Sequence, residues 1–289
     1  MPKNTQTNYN RQLHTPHGLL DLSRPIVMGI INLTPDSFYS PSRAQDENII
    51  LELAAEMIEH GAEVLDLGAM SSRPGSLPVD ENTERNRLVF ALKSIRYHFP
   101  HIIISVDTWR EQIAEEAVAE GADMINDISA GKFDQGIIRV AAANQLPYIL
   151  MHMQGEPQTM QDNPSYDNVV DCVADFFSFH IARLHDMGIK QIILDPGFGF
   201  GKTTNQNYQL LHALPSFISM FDLPLLVGVS RKRMVQEPSS CNADMALHTT
   251  SAAHSLAVLN GASILRVHDV QPAVDVINIV DYYKNVNDL

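Results

Sequence analysis

Short runs rich in β-branched residues alternate with longer stretches of helical periodicity eight times along the chain, and no other feature restricts its fold so severely. The runs lie at 26–32, 63–69, 102–108, 123–129, 147–153, 192–197, 224–230 and 264–270. Helices are expected around 48–60, 80–98, 110–120, 135–145, 168–187, 205–221, 244–260 and 272–284, where apolar residues return every three or four positions. Three helix-to-strand joints resemble one another: Gly61-Ala62-Glu63, Gly121-Ala122-Asp123 and Gly261-Ala262-Ser263. Glycine just past a helix end takes the left-handed conformation that turns the chain directly into a strand. A doubly wound sheet shares this alternation, but eight even units without a linker or shift of composition favour closure into a (β/α)₈ TIM barrel. The expected organisation is one α/β barrel domain over 26–289, preceded by an extension at 1–25. That extension is expected to form a small hairpin or plug at the barrel bottom, with Gly18 in its turn.

A chain of 289 residues exceeds the usual domain size, yet barrels of about 250 residues are routinely single domains. Hydrophobic residues at 45%, charged residues at 19% and a formal charge of −14 describe an ordinary globular protein, not a disordered or nucleic-acid-binding one. Any site for an anion must therefore be locally basic against an acidic background. Cys172 and Cys241 are too few for a disulfide framework or a cysteine zinc site, which suits a reducing compartment, and the cytoplasm is the expected location. The opening residues lack a signal-peptide apolar core, and no later run reaches the roughly 18 apolar residues of a membrane span.

Catalytic groups of such barrels stand at the C-terminal strand ends, and here those ends are polar. They carry Asn32, Asp66, Asp107, Asn126 with Asp127, His152, Asp195, Ser230 with Arg231 and Lys232, and Arg266 with His268. A single polar residue at a strand end can simply solvate or cap a loop, whereas eight in eight point to a site. Arg266 and His268 lie two apart and share a strand face. With Lys232 they form an expected basic cluster after the seventh and eighth strands, where barrels often hold phosphate. Asp107, Asn126 and Asp195 offer carboxylates and an amide suited to the N–H edges of a flat, nitrogen-rich heterocycle. The mouth thus reads as two halves, one for a heterocycle and one for its phosphate.

Several other motifs carry less. The stretch Gly197–Thr203 resembles a phosphate-binding P-loop, but that pattern's first glycine would fall on Pro196 and the loop follows a sixth strand. No nucleophile elbow occurs, since Gly228-Val229-Ser230-Arg231 breaks the pattern. His152, between Met151 and Met153, reads as a packed strand-end histidine, and the acidic stretch 111–120 reads as a solvated helix face.

Met28-Gly29-Ile30-Ile31-Asn32-Leu33-Thr34-Pro35-Asp36-Ser37-Phe38 resembles the opening signature of the dihydropteroate synthases. Further matches follow in family order: Ser71-Ser72-Arg73-Pro74-Gly75, Ser105-Val106-Asp107-Thr108, Ile125-Asn126-Asp127-Ile128, Leu150-Met151-His152-Met153-Gln154-Gly155, Leu194-Asp195-Pro196-Gly197-Phe198-Gly199-Phe200-Gly201-Lys202, Gly228-Val229-Ser230-Arg231-Lys232 and Arg266-Val267-His268-Asp269-Val270. The resemblance implies a homodimeric barrel that condenses 6-hydroxymethyl-7,8-dihydropterin pyrophosphate with p-aminobenzoate and releases pyrophosphate. It further implies that Asp107, Asn126, Asp195 and Lys232 hold the pterin, with Ile128, Met151 and Gly228 beside it. Asn32, Arg266 and His268 would hold the pyrophosphate, with Mg²⁺ shared between Asn32 and the phosphate oxygens. Loops at 34–40 and 71–75 would close over the site, and Ser72, Arg73, Pro74, Phe200 and the Lys232 region would frame p-aminobenzoate, making sulfonamides inhibitors. Asp107, Lys232, Arg266 and His268 are the expected catalytic residues.

Departure of pyrophosphate leaves a resonance-stabilised pterin cation, so cationic groups should face the leaving group and buried carboxylates the cation. The arylamine is already nucleophilic at neutral pH, and the sequence offers no obvious strong base. Two segments depart from the family pattern. Ala69-Met70 replaces Gly-Glu and is followed by Ser72 in place of threonine, and Ser40 with Pro41-Ser42-Arg43 replaces Ser-Asp-Gly-Gly. Alternative readings are a methyltetrahydrofolate-type methyltransferase, which needs neither the Ser-Arg-Pro loop nor the basic cluster, and a catalytically silent pterin-binding barrel.

Overall fold

The computed structural model describes residues 11–33, 43–70, 79–157, 159–161 and 164–286. Among these, a two-stranded antiparallel hairpin, β1 (Gln12–Thr15) and β2 (Gly18–Asp21), precedes eight parallel strands. These are β3 (Ile26–Asn32), β4 (Val64–Gly68), β5 (Ile103–Asp107), β6 (Met124–Asp127), β7 (Tyr148–Met151), β8 (Ile192–Asp195), β9 (Leu226–Val227) and β10 (Ile264–Val267). They pair in the order β8-β7-β6-β5-β4-β3-β10-β9, and a parallel bridge between Leu194 and Leu225 completes the ring. Around it run α1 (Arg43–Glu59), α2 (Glu81–His98), α3 (Glu111–Ala119), α4 (Gly136–Ala143), α5 (Val169–Asp186), α6 (Thr204–Phe221), α7 (Arg233–Gln236), α8 (Leu247–Leu259) and α9 (Val270–Lys284). The (β/α)₈ barrel expected from the alternation is the fold.

Local chemistry sets the element ends. Asp80 caps α2 by accepting from Thr83 N at 3.0 Å, and Thr203 and Gln206 form a reciprocal capping box at the start of α6. Gly61, Gly121 and Gly261 have φ of +96°, +99° and +93°, the left-handed caps expected at the three similar joints. The expected seventh strand, 224–230, shrinks to Leu226–Val227, because Pro224 has no N–H to give and the chain leaves the ladder for a turn with Arg231 at φ +55°. Helix α7 and the 3₁₀ turn Glu237–Ser239 were not foreseen; both are too short to show a periodic stripe.

The hairpin stops the bottom of the barrel. Leu13, Leu20 and Leu22 pack with the first inward residues of the strands, including Met28, Val64, Ile103, Met124, Ile149 and Ile193, all buried. Each fully buried side chain of this size contributes about 1.5–3 kcal/mol. Polar ties fix the plug to residues just before the strands. His17 N and Nδ1 lie 3.0 and 2.8 Å from Asp123 Oδ1, and His14 N donates to Gln191 Oε1 at 2.6 Å. Asp123 is buried and is itself paired with Arg96 at 2.6 Å, so its charge is compensated.

Candidate active site

Inward-facing side chains recur every second residue along a strand, so the positions two beyond the apolar bottom layer also point into the barrel. They are Ile30, Asp66, Ser105, Asn126, Met151, Asp195, Gly228 and Arg266, reached from Met28, Val64, Ile103, Met124, Ile149, Ile193, Leu226 and Ile264. The change from apolar to polar within two residues builds the site.

Asp66 is fully buried and forms its hub. Arg266 donates through Nε to Asp66 Oδ2 at 2.6 Å and through Nη2 to Asp107 Oδ2 at 2.8 Å. Asn126 Nδ2 donates to Asp66 Oδ2 at 3.2 Å. Burial opposes the charge on Arg266, but Asp66 and Asp107 outweigh it and raise its pKa. Burial pushes Asp107 up to about 7; Arg266 pulls it down, while Asp66 and Glu84 push it further up. The two expected halves of the mouth are therefore joined: the strand-eight cation is tied to carboxylates of the second and third barrel strands. Asp66 was noted among the polar strand ends but left out of the expected site. Its alternation in Val64-Leu65-Asp66-Leu67-Gly68 was the available signal.

Asp195 closes the opposite wall. Its Oδ1 accepts from Gly197 N at 2.7 Å, and burial raises its pKa against the pull of Lys232. Lys232 Nζ donates to Phe198 O at 2.6 Å and sits 4.7 Å over the Phe200 ring. Burial lowers Lys232 to about 8, with Asp195 supporting its charge. Gly228 lies between the two cations, since a Cβ there would stand 3.8 Å from Lys232 Nζ and 3.9 Å from Arg266 Cβ. Ile128, Met151 and Phe200 come together in an apolar cluster with Met160.

The stretch after β8 holds no open phosphate cradle of the P-loop kind. The buried Lys202 ammonium donates to Gly197 O and Phe200 O at 2.9 Å and to His152 O at 3.3 Å, and burial lowers its pKa to about 7. It clamps the loop carrying Phe198 and Phe200. Gly197, at φ +69°, admits no side chain, because a Cβ would lie 1.8 Å from His152 O.

The expected basic cluster needs correction. Burial lowers His268 to about 4, with Arg266 and Arg231 adding to the effect, so it is a neutral imidazole with Nδ1 3.0 Å from Ser230 Oγ. Arg231 turns away to pair with both oxygens of Asp269 at 2.9 and 2.6 Å. Lys232 and Arg266 remain as the cations of that cluster. Asp127 is structural: it accepts from Ser129 N, Gly131 N and Tyr148 Oη at 2.7, 2.6 and 2.6 Å, fixing the loop after β6. His152 is buried edge-on against Phe176, as a packed histidine. Asn32 stands half-buried at the end of β3, level with Gly68. Ser72, Arg73 and Pro74, and the loops at 34–40 and 71–75, lie outside the described residues.

A family model described as "Pterin binding enzyme" matches residues 28–268. The dihydropteroate synthase of Escherichia coli (strain K12) is 41% identical over 264 residues, covering 91% of this chain and 93% of its own. The Yersinia pestis dihydropteroate synthase, solved with a sulfonamide drug complex, superposes with a TM-score of 0.88 at 39% identity over 95% of this chain and 99% of that one. The Xanthomonas albilineans dihydropteroate synthase in complex with 7,8-dihydropteroate gives a TM-score of 0.85 at 33% identity, covering 96% and 99%.

Proposed function

Because the chain belongs to the pterin-binding enzyme family, within its dihydropteroate synthases, we infer that the barrel mouth joins 6-hydroxymethyl-7,8-dihydropterin pyrophosphate to p-aminobenzoate. The products are 7,8-dihydropteroate and pyrophosphate. The observation that carries this reading is the ring of buried and half-buried ionisable and amide side chains at the strand ends, placed in a barrel that superposes on a dihydropteroate-bound relative.

The chemistry follows from the charges. The bond between the pterin methylene and the pyrophosphate oxygen breaks, its electron pair leaves with pyrophosphate, and the ring carries the resulting cation. The amine lone pair of p-aminobenzoate then forms the new C–N bond, and the ammonium proton passes to solvent or to the leaving group. Asp195, Asp107 and Asn126 present oxygens to the N–H edges of the pterin, and ionised carboxylates beside the ring favour its cation. Ile128 and Met151 flank the ring, and Phe200 with Lys232 frames the entering amine. Arg266 already uses its Nε and Nη2 edge on Asp66 and Asp107, so its Nη1 edge faces the leaving group in this proposal. Neutral His268 serves as a hydrogen-bond partner of a phosphate oxygen, with Gly228 leaving room between the cations. Ser72, Arg73 and Pro74 are proposed at the p-aminobenzoate end, by resemblance.

Mg²⁺ fits the donor set. Among the described residues no cluster of three or more His, Cys, Asp or Glu could hold a metal by itself. A hard cation that keeps waters and takes substrate phosphates needs only one or two protein oxygens, and Asn32 offers one. Bound there, the ion would neutralise charge on the departing pyrophosphate. A homodimer is proposed from the exposed apolar residues Leu256 and Leu259 on α8 and Ile279, Tyr282 and Tyr283 on the adjacent α9. Cytoplasmic placement is proposed on the free cysteines Cys172 and Cys241, and no described helix is long and apolar enough to cross a membrane. Sulfonamides are proposed to compete with p-aminobenzoate.

The test follows pyrophosphate release by purified protein given both substrates and Mg²⁺, omitting each in turn. Turnover should require all three, and Arg266→Ala should lower kcat on the order of 10²-fold, the usual loss for one charge-stabilising donor. Binding of a pterin without pyrophosphate should change far less. Absence of pyrophosphate release, or equal losses for both pterins, would overturn the assignment of the reaction or of Arg266 respectively.

A further inference from the structure

Between the loop after β6, the end of β7 and helix α5 lies a cleft of 330 Å³ whose polar side the reaction does not use. Its apolar side is Ile128, Met151, Met153 and Phe176; its polar side includes Ser129, Lys132, His180 and Arg183. Among the described residues no carboxylate lines it, and both of the charged side chains described there are cations in a chain of formal charge −14. Neither cation has a carboxylate partner among the described residues. Arg183 donates to Ala130 O at 3.3 Å, and Lys132 lies 5.6 Å over the Phe133 ring.

Two buried atoms here lack a well-aligned partner among the described residues. Ser129 is 7% exposed; the Asp127 carboxylate accepts its backbone N–H at 2.7 Å and also draws on its hydroxyl, whose oxygen finds no other partner among the described residues. His180 Nδ1 is likewise buried and unpaired, its ring 4.2 Å from that of Phe176. Buried polar atoms almost always find partners, so these two atoms beside two cations without a described carboxylate partner call for an explanation. Burial, with Arg183 adding to it, lowers the pKa of His180 and favours the neutral ring, which can donate or accept.

The geometry points to a second ligand site, for a small organic anion with an apolar body. Its carboxylate or phosphate oxygens meet Arg183, Lys132 and the Ser129 hydroxyl, and its body lies against Phe176 and Met153. Ile128 and Met151 belong both to this cleft and to the apolar wall of the mouth, so they are a physical route by which occupancy of one site alters the other. Such coupling is reciprocal: the anion changes pterin affinity by the same factor that pterin changes anion affinity.

The test uses 4-fluorobenzoate, observed by ¹⁹F NMR with full-length protein whose mouth is saturated with 7,8-dihydropteroate. Saturable binding should persist, the uncharged 4-fluorobenzamide should not bind, and Arg183→Gln and Lys132→Gln should each weaken the benzoate at least tenfold while leaving turnover intact. Phenyl phosphate as competitor separates the two chemistries, displacing the probe more strongly than benzoate if the natural ligand is a phosphate and less strongly if it is a carboxylate. The site is overturned if the probe fails to bind, if the amide binds equally, or if both variants bind as wild type does. Lys132 is exposed, so its variant reports even if Arg183→Gln disturbs the loop. The turnover assay on wild type judges the catalytic reading separately.

Discussion

At the bottom of the barrel Val64, Ile103, Met124, Ile193 and Ile264 close against Leu13 and Leu20 of the hairpin, and the interior there is wholly apolar. Two residues farther along the same strands the same face carries Asp66, Ser105, Asn126, Asp195 and Arg266, nearly all buried. The two regions share strands, ladder and pleat, so local backbone geometry cannot explain why one is inert and the other charged. The difference lies in what each face gives up. The lower layer gains from removing apolar surface from water. The upper layer holds Asp107, Asp195, Lys202 and Lys232 against desolvation that shifts each toward its neutral form. Barrels of this kind place stability below and chemistry above. Here the boundary falls within two residues of a single strand.

Strand β8 offers the sharpest way to break that comparison, because Ile193 and Asp195 sit one inward position apart. Ile193→Ala should cost about 2–5 kcal/mol of unfolding free energy, the usual cost of a large cavity in a packed core, with kcat nearly unchanged. Urea denaturation beside the turnover assay checks this. Stability within 1 kcal/mol of wild type, or a large loss of turnover in protein that remains folded, would dissolve the distinction between the layers.

Asp195→Asn is the complementary test. The amide keeps the shape and an acceptor for Gly197 N, but presents a donor where the pterin N–H needs an oxygen. Pterin affinity should fall by roughly 2–4 kcal/mol, while the protein stays folded with at most a modest fall in the unfolding midpoint, since Lys232 loses a supporting charge. Calorimetric titration showing unchanged pterin affinity would remove Asp195 from the binding site.

The lower layer and the barrel were legible because hydrophobic runs, helix caps and left-handed glycines are local signals. Glycine caps at Gly61, Gly121 and Gly261, for example, announced three strands before any pairing was known. Among the site residues, Asp107, Asn126, Asp195, Lys232 and Arg266 could be named from strand-end position. How they pair could not. Arg266 meets Asp66 and Asp107 only because β10 lies beside β3 and so returns next to β4 and β5, a fact of ring closure rather than of spacing. His268 looked cationic beside Arg266 because its charge state depends on burial, which no motif encodes. The sequence already spoke against a P-loop at Lys202, but only its three carbonyl partners show what that lysine does instead.

The last test probes the same boundary through pH. Asp107 has its pKa raised from 3.8 to about 7, chiefly by burial, against the pull of Arg266 and with Asp66, Glu84 and Asp127 adding to the rise. A carboxyl whose pKa is higher folded than unfolded binds its proton more tightly in the native state. Its stabilising contribution is therefore complete below the unfolded pKa and disappears as pH climbs through the folded one. Asp107→Asn removes that dependence while keeping the side chain's size. The variant should gain on wild type as pH rises from about 4 to 7, by roughly 3 kcal/mol, with little relative change from 7 to 8. Buried histidines and other carboxylates contribute their own slopes, but these are common to both proteins and cancel in the difference. Ile193→Ala gives the control, since a cavity in the apolar layer should cost the same at every pH. Unfolding free energies from urea titrations at pH 4.5, 6, 7 and 8 decide it. Parallel curves for wild type and Asp107→Asn would mean that Arg266 keeps the carboxylate ionised throughout, and that the mouth holds its charge as firmly as the bottom excludes it.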